Sequence, residues 1–185
     1  MMTKTMITCE EFEKLALTGK LSPWCELIDG EIVEMAPPEC LHSVASSQVH
    51  GILRDFVRPK KLGYVLCGET GLHIRSDLPR CRGADVLFIS YKRLPKGNIP
   101  QGFLRVPPEL IVDILSDTWS VMDEKVDDYH RTGVDMVWVV DPKTRTVKKF
   151  PRGGKPAVIH DGGEIDGGKI LPGFKVPVSR IFDED

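Results

Sequence analysis

The sequence predicts an α/β (α+β) fold in which helices flank a mixed β-sheet, preceded by an N-terminal helix and a β-hairpin. Segments with apolar residues at helical spacing alternate with short aliphatic runs, and glycine or proline separates many of them. The composition, with 41% hydrophobic and 28% charged residues, is typical of a globular chain. The 185 residues show no internal repeat or linker, so a single domain over residues 1–185 is expected.

The first two elements are a helix and a hairpin. Thr8 and Glu11 have the spacing of a capping box, and Gly19 is a typical helix stop, so a helix is predicted between them. Asp29-Gly30 stands between two apolar runs, a pairing that predicts a β-hairpin over residues 26–33.

A second helix is predicted over residues 43–56, where apolar side chains recur at helical spacing before Pro59. The pattern then becomes alternating or continuously apolar. It predicts three strands, over residues 64–67, 71–75 and 84–90, because glycine and proline interrupt the apolar runs.

The last part of the chain contains the most apolar strands. The aliphatic run over residues 110–116 predicts a strand buried on both faces. A helix over residues 120–131 and strands over 134–140 and 147–150 follow, and the glycine-rich remainder predicts only a weak hairpin. Together the elements favour a mixed sheet with helices on its faces.

Asp113 is a lone carboxylate inside the aliphatic strand. Burying it is unfavourable unless a positive group meets it. An Arg or Lys partner would be a structural solution, and a bound divalent cation would be a functional one, because hard cations prefer carboxylate oxygens.

Three residues could meet around such a cation. Asp85 lies near the start of the strand over residues 84–90, so both acids can face one sheet edge if that strand pairs with the strand of Asp113. Lys125 lies in the following helix, with Tyr129 on the same helix face. Two carboxylates that hold Mg²⁺ or Mn²⁺, with one lysine near the water and the phosphate, are the minimum set for metal-assisted phosphodiester hydrolysis.

Several short motifs occur in a fixed order from about residue 6 to residue 182. They are Glu26-Leu27-Ile28-Asp29-Gly30-Glu31, Met35-Ala36-Pro37-Pro38, His42, Ala84-Asp85-Val86, residues 110–116, Lys125 with Tyr129, Trp138-Val139-Val140-Asp141-Pro142 and Leu171-Pro172-Gly173-Phe174. In this order they resemble the Uma-type restriction endonuclease family of the PD-(D/E)XK nuclease superfamily.

The resemblance implies a restriction-endonuclease-like fold and a role for each residue of the predicted site. Asp85 matches the first acid, Asp113 the second, and Lys125 a lysine moved from the strand to the helix. The chain departs from the motif in three ways: Ala84 replaces the proline, the second acid is Asp rather than Glu, and Leu115 stands where the strand lysine would be. A shorter acid can displace a metal by roughly an ångström, which can cost about 10²-fold in rate.

Other residues could join this site. Glu69 is the preferred third metal ligand, because it precedes the strand of Asp85 and could face the same cleft. Glu26 and Glu31 lie on the hairpin, where a solvated carboxylate is the simpler interpretation. His42 is near a helix start and is retained as a candidate. The other histidines lack metal-ligand spacing and are interpreted as structural or surface residues: His50, His73, His130 and His160.

Bulk properties limit the location of the protein. The formal net charge is −2 with a sequence pI near 6.2, which argues against an overall basic surface but permits a local basic groove. No apolar run approaches the roughly 18 residues of a membrane span, and no signal peptide is recognised at the start. Five scattered cysteines without a C-x-x-C pair indicate a reduced, cytoplasmic protein rather than a disulfide framework or a zinc ribbon.

The sequence therefore predicts a Mg²⁺-dependent (or Mn²⁺-dependent) endonuclease that acts on DNA, and a homodimer, because cutting both strands needs two sites. DNA-backbone contacts are expected, if anywhere, in the basic tract over residues 143–155, although a solvated hairpin face also explains that tract. The alternative is a nuclease-fold module that no longer cleaves and binds DNA or protein. A small-molecule hydrolase has little support, because no nucleophile elbow is present.

Overall fold

The computed structural model describes residues 6–75, 77–116 and 118–183, which form three α-helices, ten strands and a short 3₁₀-helix. The α-helices are α1 (Cys9–Leu17), α2 (Cys40–Val57) and α3 (Trp119–Thr132). The strands are β1 (Cys25–Ile28), β2 (Glu31–Glu34), β3 (Gly63–Arg75), β4 (Arg80–Ser90), β5 (Leu110–Ile114), β6 (Met136–Asp141), β7 (Thr146–Pro151), β8 (Ala157–His160), β9 (Glu164–Asp166) and β10 (Lys175–Pro177). The 3₁₀-helix is Val178–Ile181.

Eight of these strands form one mixed sheet, in the order β2-β1-β4-β5-β6-β7-β8, with β3 also paired to β4. β5 and β6 are parallel and are joined by α3, whereas the other described pairs of this sheet are antiparallel. The prediction of a mixed sheet flanked by helices is confirmed. β9 and β10 form a separate two-stranded sheet.

The core lies on both faces of this sheet. On one face α2 packs Ala45, Val49, Leu53 and Val57, four buried residues at spacings of four, against the sheet and the C-terminal 3₁₀-helix. On the other face α3 contributes Met122, Val126 and Tyr129 to a second cluster. A third, smaller cluster holds α1 against β1 and β4. None of the helices in the described ranges is long and apolar enough to cross a bilayer.

β4 is the strand on which the site depends. β3 pairs with β4 from Arg80 to Ser90, so β1 and β5 must share its other edge. On that edge β1 is paired at Cys81, and β5 begins its pairing only at Val86. The stretch of β4 between these two residues therefore lies at a break in the backbone ladder, where other groups can bind its N–H groups.

The structure differs from the predicted elements in a few places. The strands predicted over residues 64–67 and 71–75 form one strand, β3, because Gly68 and Glu69 make a bulge and not a turn. Both residues have positive φ, 90° and 57°. α2 starts three residues earlier than predicted, at Cys40. The predicted hairpin is present, and its turn residues Asp29 and Gly30 both have positive φ, as a two-residue hairpin turn requires.

Candidate active site

The candidate site is built on the break in the ladder along β4. Glu26 Oε1 accepts the backbone N–H of Gly83 at 3.0 Å, and Asp113 Oδ1 accepts that of Asp85 at 3.1 Å. In return, Asp85 Oδ2 accepts the N–H of Ile114 at 2.7 Å. Side-chain carboxylates thus replace the missing strand partner, which explains why acids stand in otherwise apolar strands.

Asp113 is completely buried and is held by several groups at once. Besides the N–H of Asp85, its carboxylate contacts two side chains of α3 through Oδ2. The Lys125 ammonium lies 3.2 Å away and the Tyr129 hydroxyl 3.0 Å away. Asp113 therefore has the lysine partner expected of a structural carboxylate, and this ion pair offsets the cost of its burial.

Lys125 joins two of the buried acids. Its Nζ lies 3.2 Å from Asp113 and 3.3 Å from Glu26 Oε1. Burial alone would lower the pKa of Lys125, but the carboxylates around it, Asp113 foremost, raise this pKa well above its ordinary value. Lys125 therefore remains an ammonium at neutral pH. It can offer positive charge and hydrogen bonds, but it cannot accept a proton from water.

Asp85 lies closer to α2. His42 Nε2 is 3.2 Å from Asp85 Oδ2, and both side chains are buried. Burial alone would raise the pKa of Asp85, but the hydrogen bond from His42 and the charge of Lys125 lower it below its ordinary value. Asp85 is therefore an anion at neutral pH and a suitable ligand for a hard cation.

Glu69 reaches this cluster because of the bulge in β3. The positive φ values of Gly68 and Glu69 mark the extra residue, and the Glu69 carboxylate lies against Gly83. A Cβ at position 83 would overlap Glu69 Oε2. Burial and the neighbouring charge of Asp85 raise the pKa of Glu69 to about 8, so without a cation this carboxyl is largely protonated at neutral pH.

His42, Glu69 and Asp85 each offer a ligand atom, and the three atoms lie within 4.8 Å of one another. Two carboxylates and one imidazole suit Mg²⁺ or, better, Mn²⁺, which accepts nitrogen ligands more readily. The donor set therefore fits a divalent cation. Asp113 is not a member of this group, and its oxygens already accept hydrogen bonds.

The cluster faces a cleft of about 470 Å³. Glu26, His42, Glu69, Asp85 and Lys125 line this cleft, whereas the fully buried Asp113 does not. Apolar side chains that line it include Trp24, Val33, Met35, Val121 and Met122. Among the described residues that line the cleft, carboxylate side chains outnumber the Lys125 ammonium, so these residues give an excess of negative charge that a cation would relieve.

The three residues predicted for catalysis lie close together: Lys125 Nζ is 3.2 Å from Asp113, which also binds the N–H of Asp85. Of these three, only Asp85 and Lys125 line the cleft, so the role of Asp113 as a metal ligand stays a prediction. The third predicted ligand, Glu69, also lies beside Asp85. Two further residues, Glu26 and His42, are more closely involved in the site than the sequence predicted. Glu26 is buried between Lys125 and Arg82 and is not solvated. His42, retained only as a candidate, contacts Asp85 directly. The other hairpin candidate, Glu31, is exposed and is not among the residues that line the cleft.

The basic tract is largely engaged within the fold. Three of its side chains form ion pairs: Arg145 with Asp161, Lys149 with Asp166 and Arg152 with Asp135. Lys148 lies 4.7 Å from the ring centre of Trp119, at the start of α3. These contacts favour the structural interpretation of the tract, although surface ion pairs of this kind are weak enough to exchange for phosphates.

The fold has a solved counterpart. A protein from Anabaena variabilis, whose crystal structure is described as that of a "putative nuclease belonging to DUF820", superposes with a TM-score of 0.80. The alignment covers 95% of this chain and 97% of the other chain, at 20% sequence identity. This similarity confirms the restriction-endonuclease-like fold. No match was found among curated proteins.

The sequence also matches a family model. The model is described as "Uma2: Putative restriction endonuclease" and covers residues 9–179, which is most of the chain. The match includes both acids on β4 and β5, the lysine on α3 and the hairpin that carries Glu26. The chain therefore belongs to the Uma2 family, as its motifs indicated.

Proposed function

We propose that this protein is a metal-dependent endonuclease that hydrolyses DNA phosphodiester bonds with Mg²⁺ or Mn²⁺. The family and the fold support a nuclease function. The observation that carries the finer proposal is the convergence of His42, Glu69 and Asp85 with the Lys125 ammonium around one cleft.

In this proposal His42, Glu69 and Asp85 hold the cation. A cation bound there supplies positive charge for the phosphate and lowers the pKa of a water molecule. The lining acids would otherwise repel a phosphodiester, so the same cation makes the approach of the substrate favourable.

Lys125 and Asp113 have different roles in this proposal. Lys125 lines the cleft, so its fixed ammonium stabilises the charge that develops on the phosphate. Asp113, behind it, acts as a positioning residue: it fixes the Lys125 ammonium and binds the N–H of Asp85. The sequence-based alternative, Asp113 as a direct metal ligand, predicts a metal bound by Asp113 in place of Lys125, and diffraction from Mn²⁺-soaked crystals distinguishes the two assignments.

The test is cleavage of supercoiled plasmid DNA with Mg²⁺ or Mn²⁺. Asp85→Asn keeps an oxygen that can accept the N–H of Ile114 but loses the charge. We expect its cleavage activity to fall by more than about 100-fold, because mutation even of the residues that hydrogen-bond to metal ligands lowers activity about 10- to 100-fold. The control is Asp55→Asn, an exposed acid on α2. Equal cleavage by wild type and Asp85→Asn would refute the proposal.

The second candidate function is a module that binds DNA or protein without cleaving it. The burial of Asp113, which replaces the family's longer Glu, favours it, since this acid does not reach the cleft. Calorimetry with Mn²⁺ separates the two. Mn²⁺ binding that Asp85→Asn abolishes, together with cleavage, supports the enzyme. Absence of binding at millimolar Mn²⁺ supports the module.

Three further predictions accompany this proposal. Double-strand cleavage needs two sites, so a homodimer is expected, and sedimentation equilibrium measures it. A cytoplasmic location and a single domain over residues 1–185 are also expected. Fractionation and limited proteolysis, respectively, test these two predictions.

A further inference from the structure

A second group of potential metal ligands lies apart from the cleft residues described above. Cys9 begins α1, His73 is on β3 and Cys81 is on β4. Each offers one ligand atom, and these atoms lie within 4.8 Å of one another. Both cysteines are only 1% exposed. The group shares no residue with His42, Glu69 and Asp85.

The fold brings these distant residues together in two ways. His73 and Cys81 are direct cross-strand partners in the β3–β4 ladder. The Thr8–Glu11 capping box fixes the start of α1, and Cys9 then packs beside Cys81 in the third core cluster. The Cys9 thiol donates to the carbonyl oxygen of Arg75 at 3.2 Å, which keeps its sulfur at the end of the ladder.

The state of the His73 ring points to a ligand. Its Nε2 lies 2.8 Å from Glu13 Oε2, whereas its Nδ1 is buried without a hydrogen-bond partner among the described residues. A ring that donates Nε2–H to a carboxylate has a free lone pair on Nδ1. This is the usual second-shell arrangement of a metal-bound histidine. Leaving a buried nitrogen unpaired is otherwise unfavourable, by about 1–3 kcal/mol.

We propose that Cys9, His73 and Cys81 bind one Zn²⁺ ion and that Glu13 orients the histidine. Zn²⁺ would displace both thiol protons to solvent, including the one that Cys9 donates to backbone carbonyl oxygens. The resulting two thiolates and the imidazole select a soft or borderline metal such as zinc over Mg²⁺ or Mn²⁺. Three protein ligands leave the fourth tetrahedral position for a water molecule. Cys81 also lines a cavity of about 420 Å³, which gives solvent access to that side of the group. The proposal does not depend on the nuclease activity.

The ion has a structural role. It ties α1 to β3 and β4, and Cys81 precedes Asp85 by only four residues on β4. The three ligands are 64 and 8 residues apart and lack the C-x-x-C spacing of zinc ribbons, so no motif in the sequence indicates this site. The odd number of cysteines and the reduced environment are both compatible with two zinc-bound thiolates.

The first test uses Co²⁺ with the reduced, full-length wild-type protein. Cobalt bound by thiolates absorbs through sulfur-to-metal charge transfer, which carboxylate sites do not show. We expect this absorption at one equivalent of Co²⁺, its loss on addition of Zn²⁺, and its persistence with excess Mn²⁺. Reduced wild type that fails to show this absorption would overturn the proposal.

Variants then locate the ligands. Cys9→Ser and Cys81→Ser should each abolish the charge-transfer absorption. Cys67→Ser, which changes an exposed cysteine on the same strand as His73, should retain it. Asp85→Asn should also retain it while losing Mn²⁺, which separates this proposal from that of the cleft. An unchanged cobalt spectrum in Cys9→Ser or Cys81→Ser would overturn the assignment.

Glu13→Gln tests the orienting role. The Zn²⁺ affinity, measured by competition with a chromophoric chelator, should fall by about 10- to 100-fold while the cobalt absorption retains its shape. An unchanged affinity would remove Glu13 from the proposal. Removal of zinc from wild type should lower the Tm, and added Zn²⁺ should restore it, because a ligand of the native state stabilises it.

Discussion

Gly83 is the residue at which the parts of the cleft meet. Its N–H binds Glu26, and its carbonyl oxygen lies 2.7 Å from the Tyr129 hydroxyl. On its third side a Cβ would occupy the position of the Glu69 carboxylate. Gly83 is therefore needed for the close approach of Glu69 and not for an unusual φ.

This contact makes a prediction for Gly83→Ala. The methyl group should displace the tip of Glu69, a flexible side chain, and weaken Mn²⁺ binding by about tenfold or more, with little loss of stability. Calorimetry measures the affinity and thermal unfolding the stability. Gly51→Ala on α2 is the control, since a Cβ there meets no atom within 4 Å. Unchanged Mn²⁺ affinity in Gly83→Ala would place Glu69 outside the metal site.

The pKa of Glu69 makes a prediction about pH. Because this pKa is raised to about 8, a cation must displace a proton at any lower pH. Burial alone would lower the pKa of His42, but its hydrogen bond to Asp85 and the charges of the neighbouring carboxylates together raise this pKa. A cation must therefore also displace a proton from His42 at low pH. We expect Mn²⁺ affinity to rise with pH up to about 8 and then to level off.

Calorimetric titrations between about pH 6 and pH 9 check this dependence. Glu69→Gln should bind Mn²⁺ more weakly and with a shallower pH dependence, because the proton on residue 69 is then absent. An affinity for wild type that does not change over this range would contradict the assignment of both titrating ligands.

At the scale of elements, α3 covers the break along β4 with a charged face. Arg82 extends from β4 into it, where its guanidinium lies 2.8 Å from Asp128 and 2.8 Å from Glu26. All three side chains are buried. The surrounding acids raise the pKa of Arg82 despite its burial, so the charge is kept in the folded state.

Arg82→Met should therefore destabilise the protein by about 3–5 kcal/mol, because it leaves buried carboxylates without their partner. Urea unfolding followed by circular dichroism measures the difference. Arg54→Met, at an exposed position on α2, should change the stability by less than about 0.5 kcal/mol. If Arg82→Met lowered the free energy of unfolding by no more than the control does, the buried network would not stabilise the fold.

The elements that local chemistry determines were predictable. The Asp29-Gly30 turn, the capping box of α1 and the apolar stripe of α2 all depend on residues close in sequence. The bulge at Glu69 was not predictable, because a glycine inside a strand can mark either a turn or a bulge. The change of partner along one edge of β4, from β1 to β5, was not predictable either, because apolar alternation does not specify which strands pair.

At the scale of the whole molecule, the site draws on both faces of the sheet. His42 belongs to α2, which packs on one face, and Lys125 belongs to α3, which packs on the other. They share one cleft because the edge of β4 that faces β1 and β5 has no continuous backbone partner. The break in the ladder thus positions the chemistry.

This scale also explains which site residues could be found from sequence. Asp113 stands out because of its apolar neighbours, whereas Asp85 and Lys125 stand out only because of the family motifs. His42 and Glu26 stand far from these residues in sequence, and only the three-dimensional contacts reveal their partners. Cys9, His73 and Cys81 are likewise not recognisable as a group from the sequence, because only the fold brings them together.

The most direct measurement is X-ray diffraction from crystals soaked in Mn²⁺, recorded at the manganese absorption edge. The predicted result is one anomalous peak at about 2.0–2.5 Å from ligand atoms of His42, Glu69 and Asp85, with Lys125 still paired to Asp113. A cleft without such a peak, or a peak bound by Asp113 in place of Lys125, would contradict the proposed metal site.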